Sequence, residues 1–163
     1  MDPEIRNIKN ILLVEDDPQD VELTLAALEE HHLANKVAVV RDGEQALDYL
    51  YRRGEFKTRA VGNPVVVLLD LKMPKITGLE VLKIIKADEQ LKIIPVVVLS
   101  SSREMPDLIE CYRHGVNAYV VKPVDFAEFM KAVKQLGIFW AAVNEPPPHI
   151  GKEETGQHDE ARQ

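Results

Sequence analysis

The sequence predicts an α/β fold in which one sheet of five parallel strands lies between two layers of helices. Short apolar runs rich in β-branched residues alternate along the chain with segments whose apolar residues have the period of a helix. These runs are continuously apolar, which is typical of parallel strands that are buried on both faces. The length of 163 residues fits one such domain of five βα units.

Each predicted strand is a short apolar run that is followed by polar residues. The five runs are ILLV from residue 11, VAVV from residue 37, VVVLL from residue 65, VVVL from residue 96 and AYVV from residue 118. The third run ends on a carboxylate, Asp70, and Pro74 closes that stretch. A charge at the end of a buried strand indicates a functional role for that side chain.

Three helices are predicted after the first three strands, from capping residues and apolar stripes. Asp17 can cap the first helix, and Pro18 suits its first turn because a backbone N–H has no helical partner there. The stripes are Val21, Leu25 and Leu28 in the first helix, Ala46, Leu47, Leu50 and Tyr51 in the second, and Leu79, Leu82 and Ile85 in the third.

The last two helices are predicted in MPDLIECYRHG and from DFAEF onward. The pattern of the fourth is weaker, whereas Asp125 and Glu128 give the fifth the spacing of a capping box. The stripe of the fifth helix consists of Phe126, Phe129, Met130, Val133, Leu136, Phe139, Trp140 and Val143. One core face does not need so many large residues, so part of this stripe is expected to contact another surface.

Composition divides the chain into three segments. Residues 1–9 form an N-terminal extension, residues 10–143 form the α/β domain, and residues 144–163 form a proline-rich arm with a flexible acidic tail. Within the domain, the segment RGEFKTRAVGNP before the third strand is a longer loop than most connections.

Charge and cysteine content limit the classes of partner. The net charge of −7 disfavours broad electrostatic attraction to nucleic acid or an anionic membrane, and favours a protein or a metal cation. The start, MDPEIRNIKN, lacks the apolar core of a signal peptide, and no apolar run is long enough to span a bilayer. Cys111 is the single cysteine and is expected to be a partly buried side chain without a redox role. A cytoplasmic protein is therefore expected.

Polar side chains follow the predicted strands one, three, four and five. They are Glu15, Asp16 and Asp17, then Asp70, then Ser100, Ser101 and Ser102, then Lys122 and Pro123. In an open parallel sheet the carboxyl ends of the strands share one edge, and ligands bind there. Carboxylates, a hydroxyl and an ammonium are therefore expected to converge at one site.

The set LLVEDD, LLDLKMP, VVLSSS and YVVKP resembles the receiver domains of two-component response regulators, over roughly residues 10–143. The resemblance implies a flavodoxin-like sheet in the strand order 2-1-3-4-5. It also implies that a phosphoryl group moves from a histidine of a sensor kinase onto Asp70. Such a protein is a signalling protein and not an enzyme, since its only chemistry is self-phosphorylation and self-dephosphorylation.

A divalent cation is expected among the carboxylates, because they would otherwise repel one another and an all-oxygen site suits octahedral Mg²⁺. The resemblance implies that Asp16 and Asp70 are direct ligands, that the main-chain carbonyl of Lys72 is a third, and that Glu15 acts through a coordinated water. Asp70 is then the nucleophile, and Mg²⁺ offsets the repulsion between its carboxylate and the phosphoryl oxygens.

Ser100 and Lys122 complete the predicted pocket, because the hydroxyl can hydrogen-bond one phosphoryl oxygen and the ammonium can pair with another. Ser100 stands where the family more commonly has threonine. The resemblance further implies a cis bond before Pro123, and a switch in which the ring of Tyr119 turns inward as Ser100 moves toward the phosphoryl group. The alternative for Tyr119 is an ordinary amphipathic tyrosine at the sheet edge.

The segment LGIFWAAVNEPPP resembles the C-terminal arm of the single-domain regulators that partner bacterial and cyanobacterial phytochrome histidine kinases. In that group the last helix and arm mediate homodimerisation, so Ile138, Phe139 and Trp140 are predicted interface anchors. The alternative is that Trp140 covers only the core of its own domain. A phytochrome histidine kinase is accordingly the predicted phosphoryl donor.

Two other functions remain open on the sequence. One is a scaffold that keeps the fold and is not phosphorylated, although all the expected pocket residues are present. The other is an aspartyl-phosphate phosphatase, which would require a second aspartate two residues after Asp70, where Lys72 stands. A nucleotide-binding module finds no support, because neither G-x-G-x-x-G nor a P-loop occurs.

Overall fold

The computed structural model of the protein describes residues 10–148. The strands are β1 (Ile11–Val14), β2 (Val37–Val40), β3 (Val66–Leu69), β4 (Val96–Ser100) and β5 (Ala118–Val121). The helices are α1 (Pro18–Glu29), α2 (Gly43–Tyr51), α3 (Gly78–Ala87), α4 (Met105–Arg113) and α5 (Phe126–Ile138), which continues as a π-helical turn (Phe139–Val143). The predicted extension at residues 1–9 and the predicted tail from residue 149 onward lie outside the described residues.

The strands form one parallel sheet in the order β2-β1-β3-β4-β5. The predicted flavodoxin-like fold is confirmed, and each predicted strand agrees with the structure to within one residue. The register sets Val14 opposite Leu69 and Ser100 opposite Val121. The residues that follow β1, β3, β4 and β5 therefore meet at the carboxyl edge of the sheet.

Apolar clusters cover both faces of the sheet. Val67 and Leu69 of β3 join the cluster that packs against α2, α3 and α4, whereas Val66 and Leu68 join the cluster against α1 and α5. Strands β1, β3 and β4 are fully buried, and the edge strands β2 and β5 are partly buried. Burial on both faces explains why the central strands read as continuous apolar runs.

Side-chain caps fix where the helices begin. The predicted cap Asp17 accepts a hydrogen bond from the N–H of Gln19 at 2.9 Å, and Asp125 accepts one from Glu128 N at 3.0 Å. A full capping box at Thr77 and Glu80, which was not predicted, starts α3 immediately after the Asp70 loop.

Across residues 10–148, no helix has the length and apolar character that a membrane span needs.

The prediction for Tyr51 is wrong. Its side chain is 40% exposed, and its hydroxyl donates to Asp88 Oδ2 at 2.7 Å. Tyr49 is buried instead, with its ring 5.2 Å from that of Phe56. The two tyrosines flank the buried stripe of α2 on opposite sides. Two residues of the long loop after α2 cover Tyr49: Phe56 packs on its ring, and Arg59 donates to its carbonyl at 2.6 Å.

The stripe of α5 is divided between the core and solvent. Phe129 and Val133 are buried against α1 and the sheet, whereas Phe126, Phe139 and Val143 are exposed. The expectation that one core face does not use the whole stripe is thus confirmed for the described residues.

Candidate functional site

An acidic site lies at the carboxyl edge of the sheet, where β1 and β3 end side by side. The N–H of Asp70 donates to the carbonyl of Val14 at 3.1 Å, which fixes the two strand ends against each other. One carboxylate oxygen from each of Glu15, Asp16 and Asp70 lies within 4.8 Å of the others. The structure thus brings together the three carboxylates that the sequence singled out.

Burial changes the acidity of two of these groups. Glu15 is 4% exposed and Asp70 is 9% exposed, whereas Asp16 is exposed to solvent. Burial raises the pKa of Glu15 to about 7, and the charge of Asp70 adds to the rise while Lys122 opposes it. Burial likewise raises the pKa of Asp70. Near neutral pH, the metal-free site therefore tends to hold a proton.

The donor set fits a hard divalent cation. Clustered carboxylate oxygens are the ligands that such cations prefer, and a cation would stabilise the ionised forms that burial disfavours. The N–H of Lys72 lies 3.4 Å from Asp70 Oδ1, and the Lys72 side chain is exposed. The role of the Lys72 carbonyl as a ligand stays a prediction.

Lys122 links β5 to the acidic site. Its Nζ donates to Glu15 Oε2 at 2.8 Å and to Asp20 Oδ2 at 2.9 Å, and lies 3.9 Å from Asp70 Oδ2. Burial alone would lower the pKa of Lys122, but the hydrogen bonds to Glu15 and Asp20 outweigh it and raise the pKa to about 12. The ammonium therefore stays charged at the centre of the carboxylates.

Asp20 is the site residue that sequence reasoning missed. It lies in the first turn of α1, and that helix begins directly after the Glu15-Asp16-Asp17 run. A helix that starts at the carboxyl edge of a sheet carries its first turn past the site, so an acidic residue in that turn was a usable signal. In the sequence, however, an aspartate at this position is equally typical of an ordinary first-turn acid that complements the helix dipole.

Ser100 and Tyr119 belong to one hydrogen-bonded loop beside the acidic site. Ser100 is fully buried at the end of β4, its Oγ accepts from Ser102 N at 3.2 Å, and its carbonyl accepts from Lys122 N at 2.7 Å. The hydroxyl of Tyr119 donates to the Ser102 carbonyl at 2.9 Å, and its ring packs against the core. Ser102 Oγ in turn donates to Asp107 Oδ2 at 2.5 Å. This loop joins the predicted switch residue to the site.

The peptide bond before Pro123 is trans, as are all peptide bonds between residues 10 and 148. The predicted cis bond is therefore wrong for this structure. Main-chain geometry at this point is held by the Lys122 N–H, which donates to the Ser100 carbonyl.

The raised pKa of Glu15 gives a prediction for stability against pH. Folding raises this pKa from 4.5 to about 7, so the folded state binds the proton more tightly than the unfolded state. The free energy of unfolding of the metal-free protein should therefore fall as pH rises between those two values, by on the order of 2–3 kcal/mol. Urea unfolding in EDTA, at steps between about pH 5 and about pH 8, measures it.

Glu15→Gln is the matched variant, because the amide stays neutral and its oxygen can still accept from Lys122. Its stability should change less with pH over the same interval. Parallel pH profiles for the two proteins would contradict the prediction.

Comparisons of the sequence and of the structure with known proteins agree on one family. The family model described as "Response regulator receiver domain" matches residues 11–134. The response regulator Rcp1 of Synechocystis sp. is 38% identical over 132 residues, which cover 81% of this chain and 88% of Rcp1. The structure of Mn²⁺-bound Rcp1 has a TM-score of 0.79 at 37% identity and covers 85% of this chain and 99% of that one.

Two further solved structures are similar along most of the chain. The phosphorylated cyanobacterial phytochrome response regulator RcpA has a TM-score of 0.80 at 40% identity, and the match covers 85% of this chain and 98% of RcpA. The bacteriophytochrome response regulator RtBRR is 61% identical, with a TM-score of 0.68 and coverage of 86% of this chain and 85% of RtBRR.

Proposed function

Because the chain belongs to the response regulator receiver domain family, we propose that its two-component signalling function operates through phosphoryl transfer to Asp70. The observation that carries the proposal is the position of Asp70, which ends a central strand between two other carboxylates and within 3.9 Å of the Lys122 ammonium. Glu15 also follows an inner strand and contacts Lys122, but Asp70 follows β3, the middle strand of the sheet.

The chemistry is an in-line displacement. An Asp70 carboxylate oxygen attacks phosphorus, a P–O bond forms, and the P–N bond to the kinase histidine breaks, so that the imidazole nitrogen keeps the electron pair. The Lys122 ammonium pairs with a phosphoryl oxygen, and the Ser100 hydroxyl hydrogen-bonds another. Both groups act on charge that the transferred phosphoryl group brings to the site.

We assign the metal site to Asp16 and Asp70 with the Lys72 carbonyl, and to Glu15 through water. Mg²⁺ is the cation we propose, and when bound it would offset the repulsion between the Asp70 carboxylate and the phosphoryl oxygens. The Mn²⁺-bound form of Rcp1 supports a divalent cation in a close relative. The acidic cluster in this chain supports the same type of ion.

The signal is proposed to pass through Ser100 and Tyr119. A phosphoryl group that draws Ser100 Oγ inward would disturb the hydrogen bond between Ser100 and Ser102 N. Tyr119 donates to the carbonyl of that same Ser102, so its ring position depends on the same loop. The two arrangements of this loop would differ in population between the phosphorylated and unphosphorylated states.

A phytochrome histidine kinase is the proposed donor, and we place the transfer in the cytoplasm. The support is that RtBRR, RcpA and two further solved relatives carry names that tie them to phytochromes or red light.

Acetyl phosphate and a phosphorylated phytochrome kinase should each give a labile adduct of one phosphoryl group, seen by intact-mass analysis and abolished by EDTA. Transfer from an unrelated histidine kinase at the same rate would contradict the specific partnership.

We further propose that the protein forms a homodimer through the last helix and arm. Phe139 is 47% exposed and Val143 is 66% exposed, and the Phe139 ring lies 5.0 Å from that of Trp140. Trp140 also packs against its own core, so Phe139 and Val143 are the better anchors for a partner. Burying the exposed side chains of Phe139 and Val143 against a second copy would remove this apolar surface from water.

The double variant Phe139→Ser/Val143→Ser should weaken the dimer by roughly tenfold or more. Analytical ultracentrifugation over a concentration series measures the dissociation constant. Val61→Ser is the control, because Val61 is 67% exposed and belongs to the loop before β3, outside the last helix and the arm. Point variants are preferred to truncation, since Ala141 is buried and its loss would disturb the core. A wild type that is monomeric at micromolar concentration would refute the dimer.

A further inference from the structure

We propose that Asp20 is a positioning residue, which holds the Lys122 ammonium away from Asp70 and competes for it with an incoming phosphoryl group. The inference rests on the proposed function and extends it, because it assigns a residue that sets how readily Asp70 takes and keeps a phosphoryl group. Asp20 itself touches neither the carboxylate cluster nor the reacting atoms, and acts only through Lys122.

The distances place Lys122 in a withdrawn position. Its Nζ is 2.8 Å from Glu15 Oε2 and 2.9 Å from Asp20 Oδ2, both within hydrogen-bond reach, but 3.9 Å from Asp70 Oδ2. An ammonium has three N–H donors, and two are thus committed to carboxylates other than the phosphoacceptor. To pair closely with a phosphoryl group on Asp70, the ammonium must shift toward Asp70.

The main chain of Asp20 cannot follow the movement of the Lys122 ammonium toward Asp70. That main chain is fixed in the first turn of α1, where the cap Asp17 accepts from Gln19 N at 2.9 Å. The carbonyl of Asp20 accepts from the buried Thr24 Oγ at 2.7 Å. The carboxylate therefore has only its own short side chain with which to keep contact as Lys122 moves.

Burial decides which contact breaks. The Glu15 side chain is 5% exposed, so losing the lysine would leave its charge desolvated. The Asp20 side chain is 28% exposed, so water can replace the lysine, and the N-terminus of α1 favours its negative charge. The lower cost lies in breaking the pair with Asp20, which makes Asp20 the competitor of the phosphoryl group.

Equilibrium binding of beryllofluoride, a tetrahedral phosphoryl analogue, tests the proposal by calorimetry on Mg²⁺-saturated full-length protein. Asp20→Asn keeps the size of the side chain but turns a charged pair into a weaker neutral contact. It should bind beryllofluoride about threefold to tenfold more tightly than wild type. A residue with only a structural role would not produce tighter binding when it is changed.

Two control variants separate competition from a general loss of negative charge. Glu22→Gln makes the same charge change at an exposed position of α1, without a side-chain contact to Lys122, and should bind like wild type. Asp20→Glu returns a carboxylate and should bring the affinity back toward wild type. The gain in Asp20→Asn should persist at about 0.5 M salt, where through-space effects of exposed charges are largely screened.

The outcomes distinguish this inference from the proposed function. If wild type binds beryllofluoride and Asp20→Asn binds equally or more weakly, Asp20 is not a competitor and the inference is overturned. If folded, metal-saturated wild type binds no beryllofluoride and takes no phosphoryl group, the proposed function itself fails and the inference falls with it. Thermal unfolding of each variant checks that the compared proteins are folded.

Discussion

Asp70→Asn is expected to lose the phosphoryl adduct completely in intact-mass analysis with acetyl phosphate and Mg²⁺. The amide has no carboxylate oxygen to attack phosphorus, so the P–O bond to acetate cannot be exchanged for one to residue 70. The variant also removes one of the three clustered carboxylates and should bind divalent cations more weakly. The same change lowers repulsion within the buried cluster, so the metal-free variant should be at least as stable as wild type.

Asp42→Asn is the matched control for this experiment. Asp42 is 8% exposed and follows the edge strand β2, and an asparagine there can still cap α2 by accepting from Gln45 N. This variant should still take one phosphoryl group. An adduct of unchanged yield on Asp70→Asn would mean that another residue is the acceptor and would refute the assignment.

Gly78→Ala is expected to destabilise the protein by about 2–4 kcal/mol and to impair both metal binding and phosphoryl acceptance. A Cβ at residue 78 would lie 2.0 Å from the Asp70 carbonyl oxygen and 2.7 Å from Leu71 Cα. Both are backbone atoms, so no side-chain rotation relieves the clash. The loop must move instead, and that loop carries Asp70 and the Lys72 carbonyl.

Gly137→Ala provides the contrast. Its Cβ would meet Leu28 Cδ2 at 2.3 Å, which is the end of a flexible side chain, and alanine favours the helix more than glycine does. We expect a smaller loss of stability and normal phosphoryl acceptance. Urea unfolding gives the stabilities, and titration with Mn²⁺ gives the metal affinities. Equal effects of the two substitutions would show that the close approach at Gly78 does not matter.

Much of the fold and part of the site follow from local sequence patterns. Strands β1, β3 and β4 are fully buried, so their apolar runs have no solvent-facing residues to interrupt them, and their ends locate Glu15, Asp70 and Ser100. Because parallel strands share a direction, these ends had to meet at one edge.

The failures concern contacts that depend on distant segments. Whether Tyr49 or Tyr51 is buried depends on the path of the loop after α2, which no periodicity encodes. The pair between Asp20 and Lys122 joins residues from opposite ends of the domain and depends on how α1 packs on the face of the sheet that it shares with α5. Tertiary packing decides such contacts, and a pattern along one helix or strand does not contain it.

The contact between Glu15 and Lys122 spans 107 residues of sequence, and it forms only when β5 has joined the sheet. Contacts of such long range form slowly, because the entropy of closing the intervening chain must be lost before they are made. A nascent chain that has emerged only as far as β4 would present its carboxylates without the lysine. A kinase would therefore find a complete acceptor only after synthesis has passed β5, which would separate the folding of each new molecule from its first use in signalling.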